Sequence, residues 1–260
     1  MPKLAANLSM LFTEYDFITR FKAASEAGFR GVEYLFPYDY PAADIAAALK
    51  ENGLTQVLFN LPAGDWAAGE RGIACLPDRV KEFRDGVPLA IEYAKALGCN
   101  QVNCLAGIKP DEVTDEEAYR VLVGNLQFAA EQLKQAGIAL VVEAINTRDI
   151  PNFFVSDTRL ALGLIEDVAS DNLSYQYDIY HMQIMEGDIA TTLQSKLDQI
   201  GHVQLADNPG RHEPGTGELN YPFLLQHLDS IGYTGWVGCE YVPLNGTEAG
   251  LGWLKEYNVI

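Results

Sequence analysis

Four oxygen-bearing side chains, Glu143, Asp178, Gln204 and Glu240, recur along the second half of this chain at separations of 35, 26 and 36 residues. Each lies in or at the end of a short, mainly apolar run: IALVVEA around Glu143, LSYQYD ending in Asp178, HVQLAD around Gln204 and WVGCEY around Glu240. Each interval is about one strand-helix unit of ~30 residues, which would set the four groups at similar height on adjoining parallel strands. A lone carboxylate at a strand end ordinarily begins a solvated loop. Several in succession are different, because buried carboxylates need a compensating cation. An all-oxygen set suits a hard divalent ion, Mg2+ or Mn2+, better than zinc, which prefers Cys and His.

Around these four the further candidates are few. His181 lies three residues after Asp178, just above the expected ion, whereas His202 alternates with Gln204 and is expected deeper, as a hydrogen-bonded core group. His212 and His227 read as loop and helix residues. Arg211, in the loop ADNPGRHEPGTGE, could bring positive charge to an anionic substrate. The loop LPAGDWAAGERG, with its three Gly, Trp66 and Glu70, has the composition of a cover over a pocket. None of the nine lysines falls at the C-terminal end of a strand, which removes the nucleophile of a Schiff-base aldolase. No G-x-S-x-G elbow or Cys-His signature is present either.

Such residues work together only if the scaffold brings them to one level, and the hydrophobic pattern supplies one. Helical periodicity covers Asp16 to Ala27, Ala42 to Glu51, Val80 to Leu97, Asp115 to Gln135, Asp157 to Ala169, Ile189 to Gln199, Tyr221 to Ser230 and Glu248 to Tyr257. Between them run apolar strands at Leu4 to Leu8, Gly31 to Leu35, Thr55 to Leu61, Gln101 to Ala106, Ile138 to Ala144, Leu173 to Asp178, His202 to Ala206 and Gly235 to Tyr241. Strict alternation implies parallel strands joined by right-handed crossovers. An open doubly wound sheet would be expected to carry a G-x-G-x-x-G turn after an early strand. The segment PGTGE, Pro214 to Glu218, lacks that spacing and follows the seventh strand, so it reads as a turn. The expectation is a (β/α)8 TIM barrel, of the α/β class, with residues 1–260 as one domain. In that fold the catalytic groups sit at the C-terminal ends of the strands.

Composition narrows the partners. A formal net charge of -18 repels phosphate backbones and anionic lipid, so nucleic acid and membrane surfaces are poor partner choices. A small anionic substrate would meet the same field unless a metal or local cation reversed it inside the cleft. No segment approaches the ~18 apolar residues of a membrane span, and MPKLAANLSM does not resemble a secretion signal, so a cytoplasmic enzyme is expected. Cys75, Cys99, Cys104 and Cys239 lack C-x-x-C spacing and read as buried free thiols. Oligomeric state is left open, a homo-oligomer included.

The segments NLSMLFTEYDF, GFRGVEYLFPYDY, NLPAGDWAAGERGIACLP, YDIYHMQ, HVQLADNPGRHEPGTGE and GWVGCEY resemble the hydroxypyruvate isomerase family of the xylose-isomerase-like TIM-barrel superfamily. The resemblance covers nearly the whole chain. It implies interconversion of hydroxypyruvate and tartronate semialdehyde, with Glu143 and Glu240 as the acid-base pair. It also implies a metal on Glu143, Asp178, Gln204 and Glu240, and substrate contacts from His181 and Arg211. In related isomerases and epimerases the third ligand is His, so Gln204 is a departure that bears on metal identity and affinity. Rival readings on the same scaffold are a 2-oxo-tetronate isomerase or a ketose 3-epimerase, which differ in pocket size. A non-catalytic sugar-acid binding protein is a rival of another class. The superfamily's metal-dependent DNA repair endonucleases fit poorly with the acidic balance and the absence of a Lys/Arg stripe.

Overall fold

The computed structural model describes residues 2–257. Its eight strands are β1 (Lys3–Asn7), β2 (Gly31–Glu33), β3 (Thr55–Asn60), β4 (Gln101–Cys104), β5 (Ala139–Glu143), β6 (Leu173–Asp178), β7 (Ile200–Leu205) and β8 (Trp236–Cys239). Each pairs in parallel with its sequence neighbours and β1 closes on β8, giving a barrel in the order β1 to β8. The expected TIM barrel is the observed one.

The helices α1 (Phe17–Glu26), α2 (Ala42–Asn52), α3 (Val80–Leu97), α4 (Asp115–Gln135) and α5 (Thr158–Val168) follow their strands as the periodicity required. In α4, Leu122, Leu126, Ala129 and Leu133 return every three or four residues and are all buried against the barrel. Thr114 starts this helix by accepting a hydrogen bond from the Glu117 amide, which satisfies one of the orphan donors of its first turn. Truncating Leu126 to Ala would remove a fully buried side chain, at a cost of about 2–5 kcal/mol.

The second half departs from expectation in three places. A short helix, α6 (Ile179–Met185), starts directly at the end of β6. Asp178 caps it by accepting from the Tyr180 and His181 amides, so a residue chosen as a candidate ligand also begins a helix. The helix expected over Ile189 to Gln199 is α7 (Ile189–Lys196) followed by a 3-10 turn at Leu197–Gln199, and β7 begins two residues earlier than expected. After α8 (Tyr221–Ser230), the final helical stretch breaks into α9 (Thr247–Gly250) and α10 (Gly252–Glu256).

Inside the barrel, Ala5, Val57, Leu58 and Val141 form an apolar cluster backed by the half-buried Trp236. The C-terminal ends of the strands are polar instead. All four cysteines are buried free thiols, as expected. Among the described residues no helix is long and apolar enough to cross a membrane.

Candidate active site

A polar residue stands at or next to the C-terminal end of every strand: Asn7, Glu33, Asn60, Asn103, Glu143, Gln176 with Asp178, Gln204 and Glu240, all buried. Parallel register makes this a ring, because Glu143 lies beside Gln176, Asp178 beside Gln204 and Asn7 beside Glu33. The ring has two unlike sides.

On the side of β1, β2, β7 and β8, Glu33 is saturated with partners. Its Oε1 accepts from Asn7 Nδ2 at 3.1 Å and Gln204 Nε2 at 2.7 Å, and its Oε2 meets His202 Nε2 at 2.8 Å. Space for this carboxylate comes from Gly238, where a Cβ would fall within 2.3 Å of Glu33 Oε1. His202 is therefore the hydrogen-bonded core group that its alternation with Gln204 suggested. Gln204 bridges the two sides: its Nε2 also donates to Glu240 Oε2, while its Oε1 accepts from Gln176 Nε2 at 2.7 Å. The oxygen expected to face an ion is thus engaged within the ring.

On the side of β5 and β6, the groups are under-partnered. Glu143 Oε2 accepts from Asn103 Nδ2 at 3.0 Å, but Asp178 Oδ2 is buried without any hydrogen-bond partner. His181 Nε2 stands 3.6 Å from that atom and 3.9 Å from Glu143 Oε1. Ligand atoms of Glu143, Asp178 and His181 all lie within 4.8 Å of one another, close enough to surround one cation. An orphaned buried carboxylate oxygen beside a second carboxylate is what a hard cation would satisfy, so the residues fit a divalent metal. Arg211 closes the group from above, with Nη2 at 2.6 Å from Glu240 Oε1 and 3.8 Å from Asp178 Oδ2. Its backbone takes φ +57°, a conformation costly for a side-chain-bearing residue, which aims the guanidinium at the ring.

Burial without enough countercharge sets the electrostatics. Desolvation pushes Glu143 well above the usual carboxylate range, reinforced by Glu240 and Asp178. Glu240 is pushed up to about 8 by desolvation, although Arg211 opposes the shift. Asp178 is raised for the same first reason, with Arg211 and two backbone amides pulling it down. Desolvation, then Arg211, drives His181 well below the ordinary imidazole range. Two glutamates at one cavity that cannot both ionise cheaply can hold and move a proton.

That cavity has a volume of about 220 Å³ and is lined by Glu143, Glu240, His181, Gln204 and Arg211 on its polar side and by Leu58, Leu105, Ile145 and Ile150 on its apolar side. It is smaller than the ~300–1,000 Å³ usual for drug-sized ligands, which suits a molecule of a few carbons. Larger grooves, such as one between α1 and the C-terminal helices, hold none of these acidic residues.

A xylose isomerase-like TIM barrel family model matches residues 21–257. The chain belongs to this family. It is 54% identical to hydroxypyruvate isomerase of Escherichia coli over 99% of the chain and 100% of that protein. It is 48% identical to 2-oxo-tetronate isomerase of Cupriavidus necator, covering 99% of both. The crystal structure of an AP endonuclease, family 2, from Brucella melitensis superposes with a TM-score of 0.96 at 48% identity, covering 99% of each chain. A 3-keto-D-glucoside 4-epimerase from E. coli, at 20% identity and a TM-score of 0.79, shares the fold.

Within this member of the xylose isomerase-like family, all six residues singled out from sequence meet at one end of the barrel, and five of them line one cavity. Sequence reasoning missed Asn7, Glu33, Asn60, Asn103 and Gln176; the first three carried the same signal, a polar group ending an apolar run, whereas Asn103 and Gln176 lie within their strands. It also missed Arg71, which lines the cavity from the loop after β3. Arg71 stacks over Trp66 at 4.1 Å and donates through Nη1 to the carbonyls of Trp66 and Glu70. Among the described residues it pairs with no carboxylate. Gly72 lets this loop lie against β4, since a Cβ there would come within 2.4 Å of the Leu105 carbonyl oxygen. The loop therefore covers the mouth with Trp66 and Arg71, while Glu70 turns outward to Arg79.

Proposed function

We propose that this chain is a hydroxypyruvate isomerase, interconverting hydroxypyruvate and 2-hydroxy-3-oxopropanoate by proton transfer between adjacent carbons. The observation that carries the reading is the small cavity lined by two buried glutamates with raised proton affinity. One glutamate takes a proton from the hydroxyl-bearing carbon, and a proton returns to the former carbonyl carbon. The hydroxyl proton passes to the neighbouring oxygen, so atoms and charge balance. Glu240, pushed up to about 8 by burial, holds a proton more readily than a free carboxylate and can serve as the acid of the pair, which positioned acid-base catalysis requires. Arg211 holds Glu240 in place, and with Arg71 it gives the substrate carboxylate positive charge within an acidic molecule.

Glu143, Asp178, Gln204 and Glu240 would hold Mg2+ or Mn2+. Bound there, the ion would supply Lewis-acid stabilisation of charge developing on the substrate oxygens. Gln204 would join this set through the Oε1 that now accepts from Gln176.

The 48% identity to a 2-oxo-tetronate isomerase keeps a four-carbon substrate as the second reading. The test is proton NMR in D2O with hydroxypyruvate, with and without chelator, and with a four-carbon 2-oxo acid in parallel. Deuterium entering the hydroxypyruvate carbon faster than the four-carbon acid turns over supports the proposal. Ligand binding with no solvent exchange would replace it with a binding protein.

A further inference from the structure

The orientation of one amide decides what His181 can do. Asn146, just beyond β5, is fully buried. Its Oδ1 accepts from the backbone amides of Arg148 at 3.0 Å and Asp149 at 2.8 Å. Backbone N–H groups only donate, so the oxygen of this side chain must face them and the nitrogen must face the other way. That nitrogen, Nδ2, points at His181 Nδ1 at 2.7 Å and at Asp149 Oδ2 at 3.1 Å. Asp149 is itself anchored by the Tyr180 hydroxyl at 2.8 Å. Since Nδ2 can only donate, His181 Nδ1 must accept with its lone pair, and the ring proton must reside on Nε2. Imidazolium is excluded by the same contact, because it would set two donors against each other. Nε2 is the atom facing Asp178 Oδ2 and Glu143 Oε1.

We propose that Asn146 is a positioning residue that locks His181 in the Nε2–H tautomer, making the imidazole a hydrogen-bond donor into the cavity and not a metal ligand. Proximity alone groups His181 with Glu143 and Asp178 as ion-holding atoms. A nitrogen that carries a hydrogen has no lone pair to offer, so the oxygen atoms alone remain for a metal. The donor instead faces the cavity where a substrate carbonyl oxygen gains negative charge during proton transfer. An uncharged imidazole suits that task, since it can donate while giving up no proton outright. The tautomer and the ligand set stand without any assumption about turnover, whereas the donor role rests on the isomerase reading.

Three measurements test the proposal. Long-range 1H–15N correlation spectra of the metal-free protein should show His181 as Nε2–H; an Nδ1–H or doubly protonated ring would overturn the lock. Mn2+ titration followed by electron paramagnetic resonance should give His181→Gln an affinity within about threefold of the parent, whereas Asp178→Asn should lose ~100-fold or more; a tenfold loss in His181→Gln would make the imidazole a ligand and overturn the proposal. Asn146→Asp keeps the oxygen that caps Arg148 and Asp149 but replaces the donor by an acceptor. It should put a proton on His181 Nδ1 and, to the extent that Nε2 gives up its own, lower kcat by up to about 100-fold with KM changed less than threefold, a size typical of losing one donor to a developing oxyanion. A shifted tautomer with undiminished kcat would refute the donor role. The spectra and the metal titration need no substrate, so a chain that fails to exchange deuterium would sink the isomerase reading and leave both of those results standing.

Discussion

Both sides of the barrel mouth are buried and both carry carboxylates, yet only one is finished. Around Glu33 each carboxylate oxygen is matched by a donor from Asn7, Gln204 or His202. Around Asp178 and Glu143 an oxygen has no partner and the facing imidazole stands 3.6–3.9 Å away. A buried polar group without a partner costs about 1–3 kcal/mol, so folding stability alone does not favour the second arrangement. The contrast teaches which carboxylates hold the fold and which are kept for a ligand. Gln204 and Glu240 mark the border, hydrogen-bonded to one side and reaching the cavity on the other.

The largest effect expected from breaking this contrast lies on the reactive side. Glu240→Gln should keep the barrel, as circular dichroism would show, and lose ~10³-fold or more in kcat on hydroxypyruvate. Retention of a tenth of the turnover would remove Glu240 from the acid-base pair. On the finished side the effect should fall on stability: Glu33→Gln replaces a charge-assisted contact with His202 and should cost about 2 kcal/mol in urea denaturation. An unchanged midpoint in that variant would mean that the saturated network contributes nothing and that the two sides do not differ as argued.

Acidity offers a subtler probe. Glu240 titrates near 8 in the folded chain, so between pH 6.5 and 8 the folded state keeps a proton that the unfolded chain has already released. Stability must then fall as pH rises through that window, by about 1–2 kcal/mol. Glu143 and Asp178 are raised as well and act in the same direction, whereas His181 is depressed and adds stability as pH rises toward its ordinary range, so the fall across the window belongs to the raised carboxylates together. In chelator, Tm should drop by a few degrees from pH 6.5 to 8, and saturating Mg2+ should abolish the drop because an ion favours the deprotonated carboxylates. A chelated protein whose Tm is flat or rises over that range contradicts the raised proton affinity. The smallest expected effect belongs to the covering loop: Arg71→Gln should raise KM for hydroxypyruvate about tenfold with kcat little changed. Equal KM values would remove Arg71 from carboxylate recognition.

Much of this architecture was legible because its signals are local. Strand and helix alternation needs only periodicities of about two and 3.6 residues, and each polar strand end interrupts an apolar run. Even so, α6 escaped notice. Its start depends on Asp178 turning back to cap the Tyr180 and His181 amides, and nothing in YDIYHMQ distinguishes that from a loop. The polar ends of β1 to β4 were passed over because Asn and a single Glu resemble ordinary loop starts until closure of the barrel brings them beside the others.

The sequence by itself determined the eight-fold alternation, the heights of Glu143, Asp178, Gln204 and Glu240, and the neighbourhood of His181 and Arg211, because these follow from spacing along the chain. Only the tertiary structure decided which oxygens are satisfied, where Arg71 lands, and on which nitrogen His181 carries its proton. Those outcomes depend on donors and acceptors from distant segments meeting away from water, where a hydrogen bond left unmade is costly and partner choice is no longer free.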